Sequence, residues 1–183
     1  RIEDLDEVHE HVCTKLQERV LDAQHWKGRR VKVLDGTGIT LPDTPENQAA
    51  FPQPPRQLPG CGFPVMKIVA CFCLASGTLL KWMETELKRH ESRILRQFLE
   101  FLDHGDLVLT DRGVSSYGNL AALFSNGVDA VMRVHHARKL DYRIGKSLGP
   151  MDRLVEWIKP QRPAGWDAAG WASLPQELTQ RVV

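Results

Sequence analysis

Two aspartates follow short apolar runs and could bring carboxylate chemistry together. Asp35 comes directly after Val31–Leu34, and Asp111 comes directly after Leu107–Thr110. Each run has the composition of a short strand, which would carry its aspartate at the strand end. Two converging carboxylates repel each other unless a cation lies between them, and hard oxygen ligands suit Mg²⁺ or Mn²⁺.

Such a site would serve phosphodiester chemistry. Two divalent ions about 3.5–4 Å apart can activate a water or a 3′-hydroxyl and stabilise the leaving oxygen, without a histidine or serine nucleophile. A second interpretation stays open at this point. Aspartate followed by glycine, or by arginine and glycine, is also typical of turns, so both side chains could merely cap turns.

The elements that would position these aspartates follow from the periodicity between residues 31 and 134. The predicted order is strand, strand, strand, helix, strand, helix, strand: Val31–Leu34, Val65–Leu74, Leu79–Glu86, His90–Phe101, Leu107–Thr110, Ser116–Phe124 and Val128–Val134. An antiparallel start followed by crossovers predicts an α/β fold with a mixed sheet flanked by helices. This is the order of the RNase H-like fold, in which the first and fourth strands are neighbours.

The segments outside these elements are predicted to be a helix, an irregular loop and a group of short strands. Residues 2–25 have the spacing of a helix, whereas residues 42–64 contain seven prolines and should hold no regular element. Residues 136–183 should form short strands, with Leu140–Ile144, Leu154–Ile158 and Leu178–Val183 as candidates. Asp106, just before the fourth strand, is interpreted as a turn cap.

The overall charge does not indicate a nucleic-acid partner, but one basic cluster could bind one. The net charge is +1, from 24 basic and 23 acidic residues. One basic cluster could follow DNA phosphates or could equally be a solvated hairpin: Arg133, Arg138, Lys139, Arg143 and Lys146. A core role is favoured over base stacking for Trp157, Trp166 and Trp171, since small β-rich units need large apolar side chains.

Several idiosyncratic motifs are similar to those of a known family. Residues 33–37 read V-L-D-G-T, residues 41–44 read L-P-D-T, residues 57–64 read Q-L-P-G-C-G-F-P, and residues 105–113 read G-D-L-V-L-T-D-R-G. From about residue 29 onward, including W-I-K-P at residues 157–160, the chain resembles the catalytic region of DDE transposases of the bacterial "insertion sequence four" group.

This resemblance implies an RNase H-like catalytic domain that carries out metal-dependent DNA cleavage and strand transfer in cut-and-paste transposition. Asp35 and Asp111 would be the first two catalytic, metal-binding acids, in a complete site that holds two Mg²⁺ or Mn²⁺ ions. The partners would be double-stranded DNA, at transposon ends and target, and a second copy in a homodimeric synaptic complex. From the basic cluster, Arg138, Lys139 and Arg143 are the residues expected to contact DNA. The expected location is the bacterial cytoplasm, near the nucleoid. No membrane partner is expected, because no apolar run approaches the ~20 residues that span a bilayer.

One family feature is missing from the sequence. The family's third acid is a glutamate in a helix with the pattern Tyr-x-x-Arg-x-x-x-Glu-(six)-Lys, and this pattern does not occur here. We therefore expect residues 1–28 to be a helical lead-in from an N-terminal region, 29–135 a partial catalytic core, and 136–183 part of a β-rich insertion. The third acid would lie beyond Val183, so this chain alone should cleave little or no DNA.

Two rival functions can be weighed on the same residues. A phosphotransferase of the haloacid dehalogenase type is suggested by Asp35-Gly36-Thr37, but its nucleophilic aspartate would have to occupy position 33, which is valine. The second rival is a non-catalytic remnant of a transposase that binds DNA or a partner only.

Overall fold

The computed structural model describes residues 2–58, 60–86, 91–135, 138, 141 and 143–183. Its helices are α1 Ile2–Gln17, α2 Pro45–Ala50, α3 Glu91–Phe98, α4 Tyr117–Ser125 and α5 Ala168–Ser173. Its strands are β1 Val31–Thr40, β2 Val65–Cys73, β3 Leu79–Glu86, β4 Leu107–Thr110, β5 Asp129–Met132, β6 Lys146–Gly149, β7 Asp152–Ile158 and β8 Glu177–Val182. Short 3₁₀ turns occur at Asp22–Gln24, Leu99–Phe101 and Arg112–Val114.

A five-stranded mixed sheet forms the centre of the molecule, in the order β3-β2-β1-β4-β5. The β1–β2 and β2–β3 pairs are antiparallel, whereas β1–β4 and β4–β5 are parallel. Each parallel strand is reached through a helical crossover, α3 before β4 and α4 before β5, as parallel pairing requires. The predicted α/β fold with a mixed sheet flanked by helices is confirmed, and the strand order is that of the RNase H-like fold.

The main core lies between this sheet and helices α3 and α4. Fully buried side chains include Phe98 of α3, Val108 of β4 and Leu123 of α4, which pack in one cluster with Leu34 of β1. Helix α4 begins where the Ser116 hydroxyl accepts a hydrogen bond from the Asn119 backbone N–H, a favourable N-cap. Packing against α3 and α4 therefore fixes one face of the sheet.

A second, three-stranded antiparallel sheet, β6-β7-β8, packs against the other side of α4. Its core is aromatic: Tyr117 of α4 meets Trp157 edge to face, with ring centroids 5.4 Å apart, and Trp166 and Trp171 pack beside them. A Cβ placed at Gly118 would lie 2.6 Å from the Trp166 indole, so this approach requires glycine. The predicted core role of the three tryptophans is thereby confirmed.

Helix α1 packs on the β2–β3 hairpin. His9 Nε2 lies 2.7 Å from the Leu79 carbonyl oxygen, the Cys13 thiol donates to the same oxygen at 3.0 Å, and Gln17 donates to the Ser76 hydroxyl. Among the described residues no helix is long and apolar enough to cross a membrane.

Several predicted boundaries were wrong. The first helix ends at Gln17 rather than near residue 25, and α2 forms inside the proline-rich segment, because Pro45 starts a helix without loss and Thr44 caps it. Strand β6 and helix α5 were not predicted, since both are short and lack clear periodicity. The predicted strand Leu140–Ile144 lies partly outside the described residues, and its described members form no strand. The division at residue 136 stays a prediction, although one sheet lies on each side of it.

Candidate metal centre

The two candidate carboxylates follow directly from the register of one parallel strand pair. Leu34 of β1 is the partner of Thr110 of β4, and it is the last pair of that ladder. Asp35 and Asp111 are the next residue on each strand. Neighbouring strands lie about 4.8 Å apart, so this register sets the two aspartates side by side at one edge of the ladder.

Side-chain alternation places both aspartates on the same face of the sheet. Val33 is paired with Leu109, and Asp35 and Asp111 each come two residues later. The backbone stays extended at Asp111, with φ −83° and ψ 174°, so the alternation continues through it. Both aspartates are exposed, and Asp35 Oδ1 accepts a hydrogen bond of 2.8 Å from the Gly36 backbone N–H.

The expected position of Asp35 at the end of its strand was wrong. Strand β1 continues to Thr40, because β2 pairs with it antiparallel from Lys32 opposite Cys73 to Thr40 opposite Val65. Only the parallel partner β4 stops at Thr110. The paired strands β1 and β2 therefore extend beyond the carboxylates by the part of β1 that follows Asp35.

A recess with an apolar floor lies at the two aspartates. It is lined by Leu34, Asp35, Gly36, Val69, Leu95, Phe98, Thr110, Asp111 and Val114. On the carboxylate face, the paired residues Leu109 and Val131 are 37% and 51% exposed, and Val33 beside Leu109 is partly buried. The carboxylates are therefore accessible to a large substrate.

The donor set fits a hard divalent cation only in part. Two carboxylates supply oxygen ligands of the kind that Mg²⁺ and Mn²⁺ prefer. In the described part of the chain neither aspartate has an ion-pair partner, and no group of three His, Cys, Asp or Glu side chains is placed to hold a metal. Water, substrate oxygens or a further acid would have to complete the coordination.

The opposite end of the same strand pair holds a charge cluster that the sequence patterns did not predict. Asp106, fully buried before β4, lies 2.8 Å from Lys32 Nζ through Oδ2 and 3.0 Å from Arg30 Nε through Oδ1. Asp103 pairs with Arg30 Nη2 at 3.0 Å, and Arg29 pairs with Asp129 at the start of β5. We call these six residues the charge cluster: Arg29, Arg30, Lys32, Asp103, Asp106 and Asp129.

Backbone contacts tie the charge cluster to the strands. Lys32 also donates to the Phe101 carbonyl oxygen at 2.9 Å, and Leu107 N–H donates to the Arg30 carbonyl oxygen at 2.9 Å. The turn-cap interpretation of Asp106 is confirmed, since its Oδ2 accepts from the Asp103 N–H at 2.8 Å. The available signal was Lys32 itself, a cation within an apolar strand pattern, which requires a buried anion nearby.

The charge cluster also affects a neighbouring thiol. Burial raises the pKa of Cys71 to about 12, while Lys32 opposes this shift and Asp106 adds to it. Cys71 is fully buried in the main core. The thiol is therefore protonated throughout the physiological pH range and acts as a small apolar group.

The predicted DNA-binding cations have different surroundings. The Arg138 guanidinium lies 3.7 Å from the centroid of the Trp157 ring and donates to Gln180 at 2.8 Å, and burial lowers its pKa. Arg143 is exposed and forms a bidentate pair with Asp141, which lowers the pKa of that carboxyl and raises the pKa of Arg143. Lys139 lies outside the described residues.

The sequence and fold together define the class of protein. The family model described as the transposase DDE domain matches residues 26–164, well over half of the chain. The chain belongs to this family. Together with 29% identity to an IS4 transposase over 87% of the chain, this match confirms the resemblance to DDE transposases of the "insertion sequence four" group.

The chain is also similar to individual proteins. The chain is 29% identical over 160 residues to the transposase InsG for insertion sequence element IS4 of Escherichia coli (strain K12), a match that covers 87% of this chain and 35% of that protein. The chain thus spans about a third of this curated relative. A solved structure of the piggyBac transposase synaptic complex with hairpin DNA is similar with a TM-score of 0.36 and 12% identity, over 68% of this chain and 28% of that one.

Proposed function

We propose that this chain forms part of the active site of a DNA-cleaving transposase, with Asp35 and Asp111 as two of its metal-binding acids. The observation that carries the proposal is the Leu34–Thr110 register in a chain of the DDE family, because Asp35 and Asp111 directly follow this last pair of the β1–β4 ladder. A turn-capping role alone gives no reason for two exposed carboxylates to lie together without a cation.

The residues of this chain would supply orientation and charge. The Gly36 N–H holds Asp35 Oδ1, and the extended backbone at Asp111 directs its side chain to the same face. Mg²⁺ or Mn²⁺ ions bound there would supply activation of the attacking oxygen and stabilisation of the leaving oxygen in phosphodiester displacement. Two ions are expected in the complete site, which needs at least one further acid beside Asp35 and Asp111.

Metal titration of the purified chain tests the site without requiring cleavage. Isothermal titration with Mn²⁺ should give weak binding, with Kd on the order of millimolar, because DNA normally supplies further oxygens and Mg²⁺ releases water reluctantly. Asp111→Asn should abolish the heat of binding, whereas Asp167→Asn, at the cap of α5, should leave it unchanged. Equal binding by wild type and Asp111→Asn would refute the assignment.

Cleavage tests the same residue in a protein that contains this chain and the further acid. Replacement of Asp111 by Asn should lower the rate of Mg²⁺-dependent nicking of transposon-end DNA at least about 100-fold, since loss of mere outer partners of a metal site already costs 10–100-fold. The 183-residue chain alone should give little nicking. Robust nicking by it would mean that another acid of this chain completes the site.

We further propose that the basic segment 133–146 binds DNA phosphates without sequence preference. Arg143 supports this role, because its guanidinium is 90% exposed and, among the described residues, pairs with Asp141 alone. Arg138 would have to leave the Trp157 ring to reach a phosphate. Lys139 is included in the proposal because of its charge alone. A homodimer in a synaptic complex is a separate expectation, which follows from the family resemblance.

The salt dependence of DNA binding distinguishes these cations. Removing one cation that binds a phosphate flattens the slope of log K against log salt by about 0.9. In a transposase that contains this chain, Arg143→Ala should flatten the slope by that amount, and Arg138→Ala should mainly lower the melting temperature. Unchanged slopes in Arg143→Ala and Lys139→Ala would identify the segment as a solvated surface.

A further inference from the structure

Strand β1 directs alternate backbone groups toward its two neighbours. On the β2 side, the Val31 carbonyl oxygen accepts a hydrogen bond from the Leu74 N–H. Ten residues later and on the same side, the Leu41 N–H donates to the Pro64 carbonyl oxygen. The antiparallel register between these two points has no shift, so the odd-numbered residues of β1 direct their N–H and C=O groups toward β2.

The even-numbered residues of β1 consequently face the β4 side. The Arg30 carbonyl oxygen has this direction, because it accepts the Leu107 N–H where the β1–β4 ladder begins. That ladder ends after four residue pairs, and no strand of the described residues continues it. Gly36, Gly38 and Thr40 therefore direct their backbone groups to a side without a partner strand, and we call these three residues the open edge of β1.

The open edge begins directly beside the proposed metal site. The Gly36 N–H is bonded to Asp35 Oδ1 at 2.8 Å, so the N–H groups of the edge that have no partner among the described residues are those of Gly38 and Thr40. They lie about 10 Å and about 17 Å along the strand from Asp35, and about 6.8 Å from each other. Both residues are exposed. Two N–H donors are thus presented at a spacing close to that of successive phosphates along one DNA strand.

Glycine makes this edge accessible to a large ligand. Side chains at positions 36 and 38 would lie on the same face of β1, and glycine at both leaves the backbone there uncovered. A Cβ at Gly38 would meet only Val65 Cγ1, at 3.5 Å, so the fold does not require glycine at this position. Lys67 is the register partner of Gly38 and adds a cation on the same face. Packing therefore does not account for Gly38, whereas close approach of a ligand does.

We propose that the open edge of β1 binds the DNA backbone next to the reacting phosphate, with the Gly38 and Thr40 N–H groups donating to phosphate oxygens. The inference rests on the proposed function, which brings a phosphodiester to Asp35 and Asp111. Backbone N–H groups are regular phosphate donors in protein–DNA complexes. A β-strand of a second copy would also fit a strand edge, but glycine weakens strand pairing and the Gly36 N–H is already bonded.

Proline substitution tests whether the edge is open, because it deletes one N–H and keeps the backbone extended. Proline is tolerated on a free strand edge and not where its N–H would join a ladder. In the 183-residue chain, Gly38→Pro should melt within about 3 °C of wild type. Ile39→Pro, whose N–H faces β2, should lower the melting temperature by about 9 °C. An equal fall in both variants would show that the edge is not open and would overturn the proposal.

The phosphate contact is tested in a transposase that contains this chain. The probe is a duplex of the transposon end in which a neutral methylphosphonate replaces, one at a time, the phosphates near the cleavage point. In wild type, one of these replacements should raise Kd about ten-fold, the effect of losing one hydrogen bond to a charged group. In Gly38→Pro the intact duplex should already bind about ten-fold more weakly, and the same replacement should cost nothing further. Gly38→Ala keeps the N–H and should keep the penalty.

The salt dependence separates this contact from that of a cation. The Gly38 N–H carries no charge, so Gly38→Pro should raise Kd without changing the slope of log K against log salt. Binding is measured in EDTA, so that no divalent ion links the DNA to Asp35 or Asp111. Failure of the metal site in the Mn²⁺ titration would therefore leave these results as they are, and the two proposals fail separately.

Two results would overturn the phosphate contact. In the first, Gly38→Pro and Thr40→Pro both fold and retain every methylphosphonate penalty of wild type. In the second, Gly38→Pro binds DNA as wild type does but self-associates less in the absence of DNA, as measured by light scattering. That result would assign the open edge to strand pairing between copies of the chain.

Discussion

The two ends of the β1–β4 strand pair both carry aspartates, but they differ in whether those aspartates have cationic partners. At the start of the pair, three aspartates of the charge cluster are matched by three cations, Arg29, Arg30 and Lys32. At its end, Asp35 and Asp111 lie together with no cation paired to either among the described residues. The aspartates of the charge cluster have their cationic partners within the chain, whereas the proposed metal site would have to bind its cation from solution.

The largest expected change in stability comes from removing a cation of the charge cluster. Lys32→Met should destabilise the chain by about 3 kcal/mol, because it deprives the buried Asp106 of its closest cation while Arg30 remains. In a protein of this size that corresponds to a fall of about 9 °C in melting temperature. Thermal unfolding followed by circular dichroism measures it, with Lys15→Met as the exposed control. If the melting temperature of Lys32→Met falls no further than that of Lys15→Met, the ion pairs of the charge cluster do not stabilise the fold as proposed.

A smaller change in stability is expected from adding a divalent cation at Asp35 and Asp111. Mn²⁺ at ten times its Kd should stabilise the native state by about 1.4 kcal/mol, through RT ln(1 + [M]/Kd). The melting temperature should rise by about 4 °C, and less with Mg²⁺ at the same concentration. Melts in Mn²⁺ and in metal-free, EDTA-treated buffer measure the rise. A flat response up to tens of millimolar Mn²⁺ would remove the support for a recruited cation.

The smallest effect should have the opposite sign from the first. Asp35→Asn deletes one of two like charges, so metal-free stability should rise by a few tenths of a kcal/mol, on the scale of an exposed charge pair. The same substitution should abolish the Mn²⁺ effect. The turn-cap interpretation predicts the reverse, a loss of stability and no dependence on metal. Parallel melts of wild type and Asp35→Asn, with and without Mn²⁺, decide between the two.

The sequence predicted the central sheet because its signals are local. The seven predicted elements between residues 31 and 134 all exist, since each carries its own periodicity and its own stop, such as Gly127 with φ +69° after α4. The neighbourhood of Asp35 and Asp111 followed from the strand order. The length of β1 did not, because it depends on antiparallel pairing with residues 65–73, and no residue within 35–40 reports that partner.

The charge cluster escaped prediction for a related reason. Its ion pairs join residues separated by about seventy or more positions, such as Lys32 with Asp106, and only the folded topology brings them together. The same holds for Arg138, whose charge suggested DNA contact, while its place over Trp157 depends on how β7 packs. Sequence patterns indicate that a charge exists; the fold decides whether it meets solvent, an aromatic ring or another charge.

Helix α4 contributes side chains to both hydrophobic cores of the molecule. Residues 117–123 are all buried, with Leu123 in the core of the five-stranded sheet and Tyr117 and Leu120 in the aromatic core of the three-stranded sheet. Because one helix supplies side chains to both cores, neither core can lose its packing while the other keeps it. We therefore expect both sheets to melt in a single transition, so that damage to the aromatic packing, for example by Gly118→Ala beneath Trp166, is felt as reduced stability at the distant carboxylates.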